Sequence, residues 1–417
     1  MGIEVRGIGV DELEEFTRTC YYAFGNQPTA EEVADELVVV EAERLLVAED
    51  GHRMVGTAGA YSFGMTVPGG ATVPVAGVTA VGVLPTHRRQ GLLRRMMSDQ
   101  LDDVADRGEA LAVLTASEAG IYGRFGYGHA TRVVNVRVDT RGGLPLRSAP
   151  AAGGSLRLVT DAATHSATVA GTYEATRAQR TGELTRNPAW WDHFDLDRES
   201  WRGGATARFC VVHEDDDGRV DGYCWYRVKT QPPDAAGSRN EVQVWDLAAT
   251  HPEVEAALLA YLADIDLSTS ITGWFRPVDD PWPHRLADPR RYRVERVADH
   301  LHVRVVDVPA ALAARTYGAP GPLVVAVDDG FRPPAGGRFR LDVADDGTAA
   351  CERIGDSARG KADVRLDAAA LGSLYLGDVT PSVLAAAGRL VASSADALRR
   401  ADRAFRTDRA PFCTMEF

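Results

Sequence analysis

"VGVLPTHRRQGLLRRMM", residues 81–97, runs from an apolar stretch into a basic knot and out into an amphipathic one. Between Val83 and Arg95 it holds four arginines, His87 and Gly91. The residues before Pro85 suit a strand. From Leu92 the apolar positions Leu92, Leu93, Met96, Met97, Leu101, Val104 and Ala105 recur at helical spacing and stop at Gly108, so a helix is expected there. A strand that turns through a glycine into a helix start presents unpaired N–H groups and the positive end of the helix dipole to an anion. Arg88 and Arg89 add charge, and Gly91 lets the backbone come close to an oxygen. The expected ligand is a pyrophosphate. Neither Gly-Lys-Ser/Thr nor Gly-x-Gly-x-x-Gly is present, which argues against the ATP and NAD loops.

Composition sets the context. The 417 residues are 45% hydrophobic, enough for two or three cores, and the net charge is −13. Nucleic-acid binding is disfavoured, because it needs a basic footprint, whereas cationic partners are favoured by steering. The chain offers no run of about 18 apolar residues for a membrane span and no secretory start. Five scattered cysteines, Cys20, Cys210, Cys224, Cys351 and Cys413, lack metal or disulfide spacing and suit reduced thiols. A cytoplasmic protein without a metal, and without a membrane partner, is the expectation.

"TRGGLPLRSAPAAGGS" (140–155) has linker composition and closes a first domain, 1–140. A second runs over 155–297, and after the proline-rich "PVDDPWPHRLADPRR" (277–291) the β-patterned "HLHVRVVDV" opens a third, 298–417. In the first, "RLLVAEDGHRMVGTAGAYSF" is a hairpin about Asp50-Gly51, and "LAVLTAS" (111–117) a buried strand followed by a turn at "IYGRFGYG". Arg44 and Thr86-His87 recur 164 residues later as Arg208 and Thr250-His251, which indicates a duplicated fold. The copy replaces "HRRQGLL" with "HPEVEAA", losing arginines and glycine. In the last domain Thr380 caps a helix begun at Pro381, and "SADALRRADRAF" continues in helical register. The apolar end "APFCTMEF" is a docked segment, most simply a final strand of that domain.

The strand, the Arg-x-x-Gly loop opening a helix, the next strand, and Tyr122 four residues before Gly126-Tyr127 resemble the GNAT acetyltransferases. "VGVLPTHRRQGLLRRMM" with "LTASEAGIYGRFGYGHAT" is similar to one branch, the enhanced intracellular survival (Eis) type N-acetyltransferases. The sharpest match covers residues 81–130. Leu93 stands where GNAT loops commonly carry Gly or Ala, a bulk the Eis branch shares. The resemblance implies an α/β protein of α+β mixed sheets: two tandem GNAT-like domains, the second lacking the cofactor loop, then a sterol-carrier-protein-like domain. It implies acetyl-CoA as acyl donor, held by Val81 and Val83 along the pantetheine arm, by the amides of Arg88, Arg89, Gln90, Gly91 and Leu92 at the pyrophosphate, and with Ser117 beside it. Tyr122 would protonate the departing thiolate. The terminal carboxylate of Phe417 would act as general base, with Glu416 drawing in the substrate.

The implied function is an acetyl-CoA-dependent N-acetyltransferase acting on primary amines of an aminoglycoside, a polyamine or a lysine, in a homo-oligomer that the family makes a hexamer. The alternative is a non-catalytic protein that senses acyl-CoA or lipid. The acceptor pocket is expected from loops such as 20–29 and from the region of Trp190, Trp191 and Trp201.

Overall fold

A computed structural model describes residues 2–233, 237–355 and 361–417. They form two compact units: Met1–Thr131 with Thr181–Ala189 and Asp299–Phe417, and Arg132–Arg180 with Trp190–Ala298. Three mixed sheets account for the strands, the α/β architecture that the sequence leads one to expect.

In the first unit the leading sheet takes its strands in the order Glu4–Gly7, Leu46–Asp50, Arg53–Thr66, Thr72–Val83, Leu111–Thr115, Leu301–Val305, Gly128–His129. The Asp50-Gly51 turn is the expected hairpin, with Asp50 opposite Arg53 and Gly51 at φ +69°. The pairing of Thr72–Val83 with Leu111–Thr115 is parallel, and the helix Leu92–Asp106 makes the crossover. That helix buries Leu92, Met96, Met97, Gln100, Leu101 and Val104, one stripe at three- and four-residue spacing, with Met97, Leu101 and Val104 against Ala60, Ala76, Val78, Ala112 and Leu114, and Leu92 and Met96 against Ala48, Val55 and Ala58. Gln100 tolerates burial because its amide donates to Gly59 O at 2.8 Å.

The second unit repeats this order with Ser155–Val159, Phe209–Glu214, Val220–Lys229, Asn240–Ala249, Ser268–Pro277, Arg132–Asp139 and Tyr292–Asp299. The parallel pairing of Asn240–Ala249 with Ser268–Pro277 and the crossover helix Pro252–Ala263 fall where the first unit has their counterparts. The Thr-His pairs are reproduced: Thr86 Oγ1 and Thr250 Oγ1 each lie 2.8 Å from the Nδ1 of the following histidine. The arginines of the echo are not. Arg44 forms a buried pair with Glu109 at 2.6 Å, whereas Arg208 pairs with Asp195 at 3.2 Å while lying over the rings of Trp225 and Trp245.

Domain edges drawn from composition miss an exchange of strands. Arg132–Asp139, placed by the linker at 140 in the first domain, is hydrogen-bonded into the second sheet. Leu301–Val305, expected to open the third domain, pairs with Leu111–Thr115 in the first. Each stretch is apolar and alternating, and such a pattern does not specify which sheet completes its hydrogen bonds.

The third sheet runs Ala349–Ile354, Gly337–Val343, Gly321–Asp328, Val364–Asp367, Leu390–Ala392. The expected continuous helix beyond Pro381 is broken: Pro381–Ala386 ends before Gly388 at φ +72°, the short strand follows, and Ser394 caps a new helix, Ala395–Phe405. The buried Arg315 guanidinium donates to the main-chain oxygens of Tyr375 and Phe405, at the ends of Ala368–Tyr375 and Ala395–Phe405, where helix dipoles favour a cation. This fixes the point from which the C-terminal tail departs.

Helix Ala368–Tyr375 packs on the first sheet through glycines. A Cβ on Gly372 would stand 2.0 Å from Val303 O, and one on Gly128 1.8 Å from Ala369 O. Both neighbours are backbone and cannot rotate away. Gly372→Ala is therefore expected to lower stability by about 3 kcal/mol, read as a fall in the denaturant midpoint; an unchanged midpoint would mean that this contact is looser than described.

Candidate active site

Strand Thr72–Val83 loses its parallel neighbour toward its end. Its parallel pairing with Leu111–Thr115 covers only Val75–Gly77, whereas on its other edge the whole of Leu111–Thr115 pairs with Leu301–Val305. A bulge at Ala80, φ +52°, interrupts the pairing on the other side, where Thr79 faces Gly59 and Gly82 faces Thr57. Val81 and Val83, half-buried, thus lie along a strand edge that has no strand beside it among the described residues.

Residues 84–91 then carry the chain to Leu92. Arg89 is left-handed at φ +63° and Gly91 at φ +80°, and no main-chain acceptor among the described residues takes the amides of Arg88 to Gly91. Nothing lies within 4 Å of a Cβ built on Gly91. Consecutive N–H groups in such a turn, at a helix start, make an anion-binding concavity. Arg88 is used to brace it, donating to Val83 O at 3.3 Å and Ala23 O at 3.2 Å. Arg89 has no partner among the described residues, Gln90 is exposed, and Leu92 is buried as the first helical anchor. Arg95 donates to Ile3 O at 2.8 Å.

Ser117 is exposed just beyond strand Leu111–Thr115, and the helix Ala119–Tyr122 follows. The half-buried Tyr122 ring meets Tyr127 edge-on, centroids 6.0 Å apart at 75°. Burial, with smaller contributions from Cys20 and Glu118, pushes the Tyr122 phenol up to about 12. It therefore holds its proton throughout the neutral range.

The tail is docked, but not as a strand of the third domain. Residues 182–185 run along the end of strand Arg53–Thr66, with Gly182 N on Thr66 O at 2.8 Å, Thr66 N on Glu183 O at 2.9 Å and Thr185 N on Gly64 O at 2.8 Å. The tail lies on this ledge. Phe412 N donates to Thr181 O at 2.8 Å, and the amide and hydroxyl of Thr414 donate to Glu183 Oε2 at 3.2 and 3.1 Å. Phe412, Cys413 and Met415 are buried, and His300 Nε2 donates to Met415 O at 2.9 Å. At the end, Thr115 Oγ1 donates to the terminal oxygen of Phe417 at 3.1 Å. The Phe417 ring packs against Phe63 and Tyr61, with centroids 5.1 and 6.3 Å away, over Gly77. Glu416 is exposed.

Strand Leu111–Thr115 thus meets Phe417 at its last residue and leads on to Tyr122. Nothing in the sequence pointed to Thr115, Glu183, His300 or the aromatic seat of Tyr61 and Phe63. Their roles rest on pairings more than 100 residues apart; only the apolar spelling of the tail hinted at a dock. Glu36 accepts from the Tyr21 hydroxyl at 3.2 Å, and burial together with the charges of Glu36 and Glu41 drives the Tyr61 phenol upward. The surroundings are aromatic and negative. Trp190 and Trp191 belong to the core of the second unit, where Trp191 meets Tyr173 and Trp225 edge-on, and Trp201 is exposed.

In the second unit only Thr250 and His251 separate strand Asn240–Ala249 from its helix. Pro252 removes one N–H, and Glu253 and Glu255 place acid in the first turn. No anion loop can form there.

Comparison with known proteins agrees with this asymmetric pair. Acetyltransferase (GNAT) domain models match residues 4–130 and 182–305, and a sterol carrier protein domain model matches 308–414. An N-acetyltransferase of Streptomyces avermitilis is 42% identical over 419 residues, 99% of either chain. N-acetyltransferase Eis of Mycobacterium tuberculosis is 38% identical over 367 residues, covering 87% of this chain and 85% of that protein. The chain belongs to the Eis family of N-acetyltransferases. Eis1 from Mycobacterium abscessus superposes with a TM-score of 0.86 at 37% identity, over 99% of this chain and all of that one. The protein is an acetyltransferase, which sets aside the non-catalytic binder.

His300 gives the docked tail a pH dependence. Burial lowers its pKa from 6.5 to about 4, so the folded ring stays neutral and presents Nε2–H to Met415. Above pH 6.5 its contribution is complete; as pH falls toward 4 the unfolded chain takes up a proton that the folded one resists, and stability is lost. Hydrogen exchange of residues 412–417, corrected for intrinsic rates, should accelerate between pH 7 and pH 4.5. His300→Ala should exchange faster at both, by about 1 kcal/mol of lost protection. Equal protection at the two pH values in the unaltered protein would contradict this role.

Proposed function

We propose that the chain transfers the acetyl group of acetyl-CoA to a primary amine of a cationic small molecule, an aminoglycoside or polyamine, or to a lysine side chain. The observation that carries this reading is the hydrogen bond from Thr115 to the Phe417 carboxyl group, which seats the end of the chain on the strand that leads to Tyr122.

Acetyl-CoA supplies an activated thioester. In this reading the amides from Arg88 to Leu92 hold its pyrophosphate, Val81 and Val83 flank the pantetheine arm, and Ser117 lies beside it. The Phe417 carboxylate takes the proton that an ammonium must lose before it attacks, and the Tyr122 hydroxyl returns one to the departing sulfur. Opposite charges on amine and carboxylate favour the approach, and Glu416, Glu36 and Glu41 extend the negative field. A cytoplasmic setting suits the five free thiols, and assembly into a hexamer is part of the reading through family likeness alone.

Untagged protein with acetyl-CoA should release free thiol in the presence of at least one amine from a panel of aminoglycosides, polyamines and a lysine peptide. Binding of acetyl-CoA without release by any of these amines would contradict the acceptor class. Tyr122→Phe should lower kcat about 100-fold while leaving the Kd for acetyl-CoA within about threefold. Because the phenol keeps its proton to about pH 12, its ionisation should cause no fall in kcat below pH 10. Full turnover by Tyr122→Phe would remove the phenol from the reaction.

A further inference from the structure

Tyr122 is carried on a tight turn. The helix Ala119–Tyr122 passes into a 3-10 turn, Gly123–Phe125, and Gly126 at φ +86°. What lies behind this turn comes from the far end of the chain. Arg304, wholly buried on strand Leu301–Val305, presses its guanidinium so closely on Gly126 that a Cβ there would stand 2.1 Å from Nη1. It pairs with the buried Asp329 of the sterol-carrier-protein-like domain. The other oxygen of Asp329 accepts from Phe331 N at 3.1 Å and Arg332 N at 2.8 Å, shaping the stretch that follows strand Gly321–Asp328.

That stretch touches both halves of the site. The Phe331 ring meets Phe125 of the tyrosine turn edge-on, centroids 4.9 Å apart at 73°. Arg94, on the first turn of the cofactor-loop helix, lies with Cζ 5.1 Å from the Phe331 centroid. Arg332 reaches Asp102, two turns further along the same helix, at 2.8 Å. Aromatic edge contacts and a cation over a ring are directional, so one side chain registers two elements against each other. The Arg304–Asp329 pair sits where water cannot replace either partner, so the turn cannot shift without exposing a charge to a dry interior.

We propose that residues 329–332 are a positioning clamp, through which the third domain holds the Tyr122 turn and the cofactor-loop helix in register for proton delivery to the leaving thiolate. The clamp touches no substrate; it acts through Tyr122, and so rests on the function proposed above. A misplaced donor slows proton transfer far more than it weakens binding.

The test is a double-mutant cycle in the full-length, untagged protein, with kcat measured alongside acetyl-CoA affinity and thermal unfolding. Phe331→Leu, at a half-buried position, keeps apolar bulk but loses the ring. It should lower kcat about tenfold with Kd changed less than threefold. In a Tyr122→Phe background the same substitution should cost less than twofold, since no donor remains to be positioned. Asp329→Asn should show the same dependence on Tyr122, which guards against a peculiarity of the leucine. An equal loss in both backgrounds, or none in either, would overturn the clamp. If Tyr122→Phe alone turned over at the full rate, the proton-donor reading would fall and the clamp with it.

Discussion

Everything proposed for this site depends on how Phe417 is seated. The last residue is brought to strand Leu111–Thr115 because residues 412–415 lie on a ledge made by 181–186, itself hydrogen-bonded to strand Arg53–Thr66. Burying Phe412 and Met415 contributes about 2 kcal/mol each. Fixing each residue of backbone costs about 1–2 kcal/mol, so apolar anchoring alone would leave the end loose. The bonds from Thr414 to Glu183, from His300 to Met415 and from Thr115 to Phe417 give the apolar tail a fixed seat.

The remaining architecture follows from that requirement. The third domain delivers the tail from helix Ala395–Phe405, whose end is fixed by Arg315. The ledge is donated by the sequence of the second GNAT-like block, although residues 181–189 fold with the first unit. The second sheet itself keeps the acetyltransferase strand order but has lost its anion loop to Pro252 and two glutamates. Of the two repeated units, one keeps, among the described residues, a loop of unbonded amides at the start of its crossover helix and the other does not.

What could be read along the chain was what is local. Gly91, the stripe from Leu92 to Val104 and the turn at Tyr122 each declare themselves within a few residues, because backbone conformation and helical burial are decided at that range. The Thr-His echo exposed the duplication for the same reason. The exchange of Arg132–Asp139 and Leu301–Val305 between sheets was hidden, since an alternating apolar strand fits either. So was the Arg304–Asp329 pair, whose members are ordinary charged residues until burial makes them obligatory partners. The tail was half legible: its apolar spelling announced a dock, while Glu183 and Thr115 gave no sign of being its seat.

The most direct test of the account is to append one glycine after Phe417. The new carboxylate would lie about 3.6 Å further along the chain, while the buried anchors, the anion loop and Tyr122 stay as they are. If the carboxylate of Phe417 is the base, kcat in the thiol-release assay should fall about 100-fold, with acetyl-CoA affinity and the protection of residues 412–415 unchanged. Undiminished turnover with the tail still docked would show that the end of the chain is a structural fastening and that the base lies elsewhere.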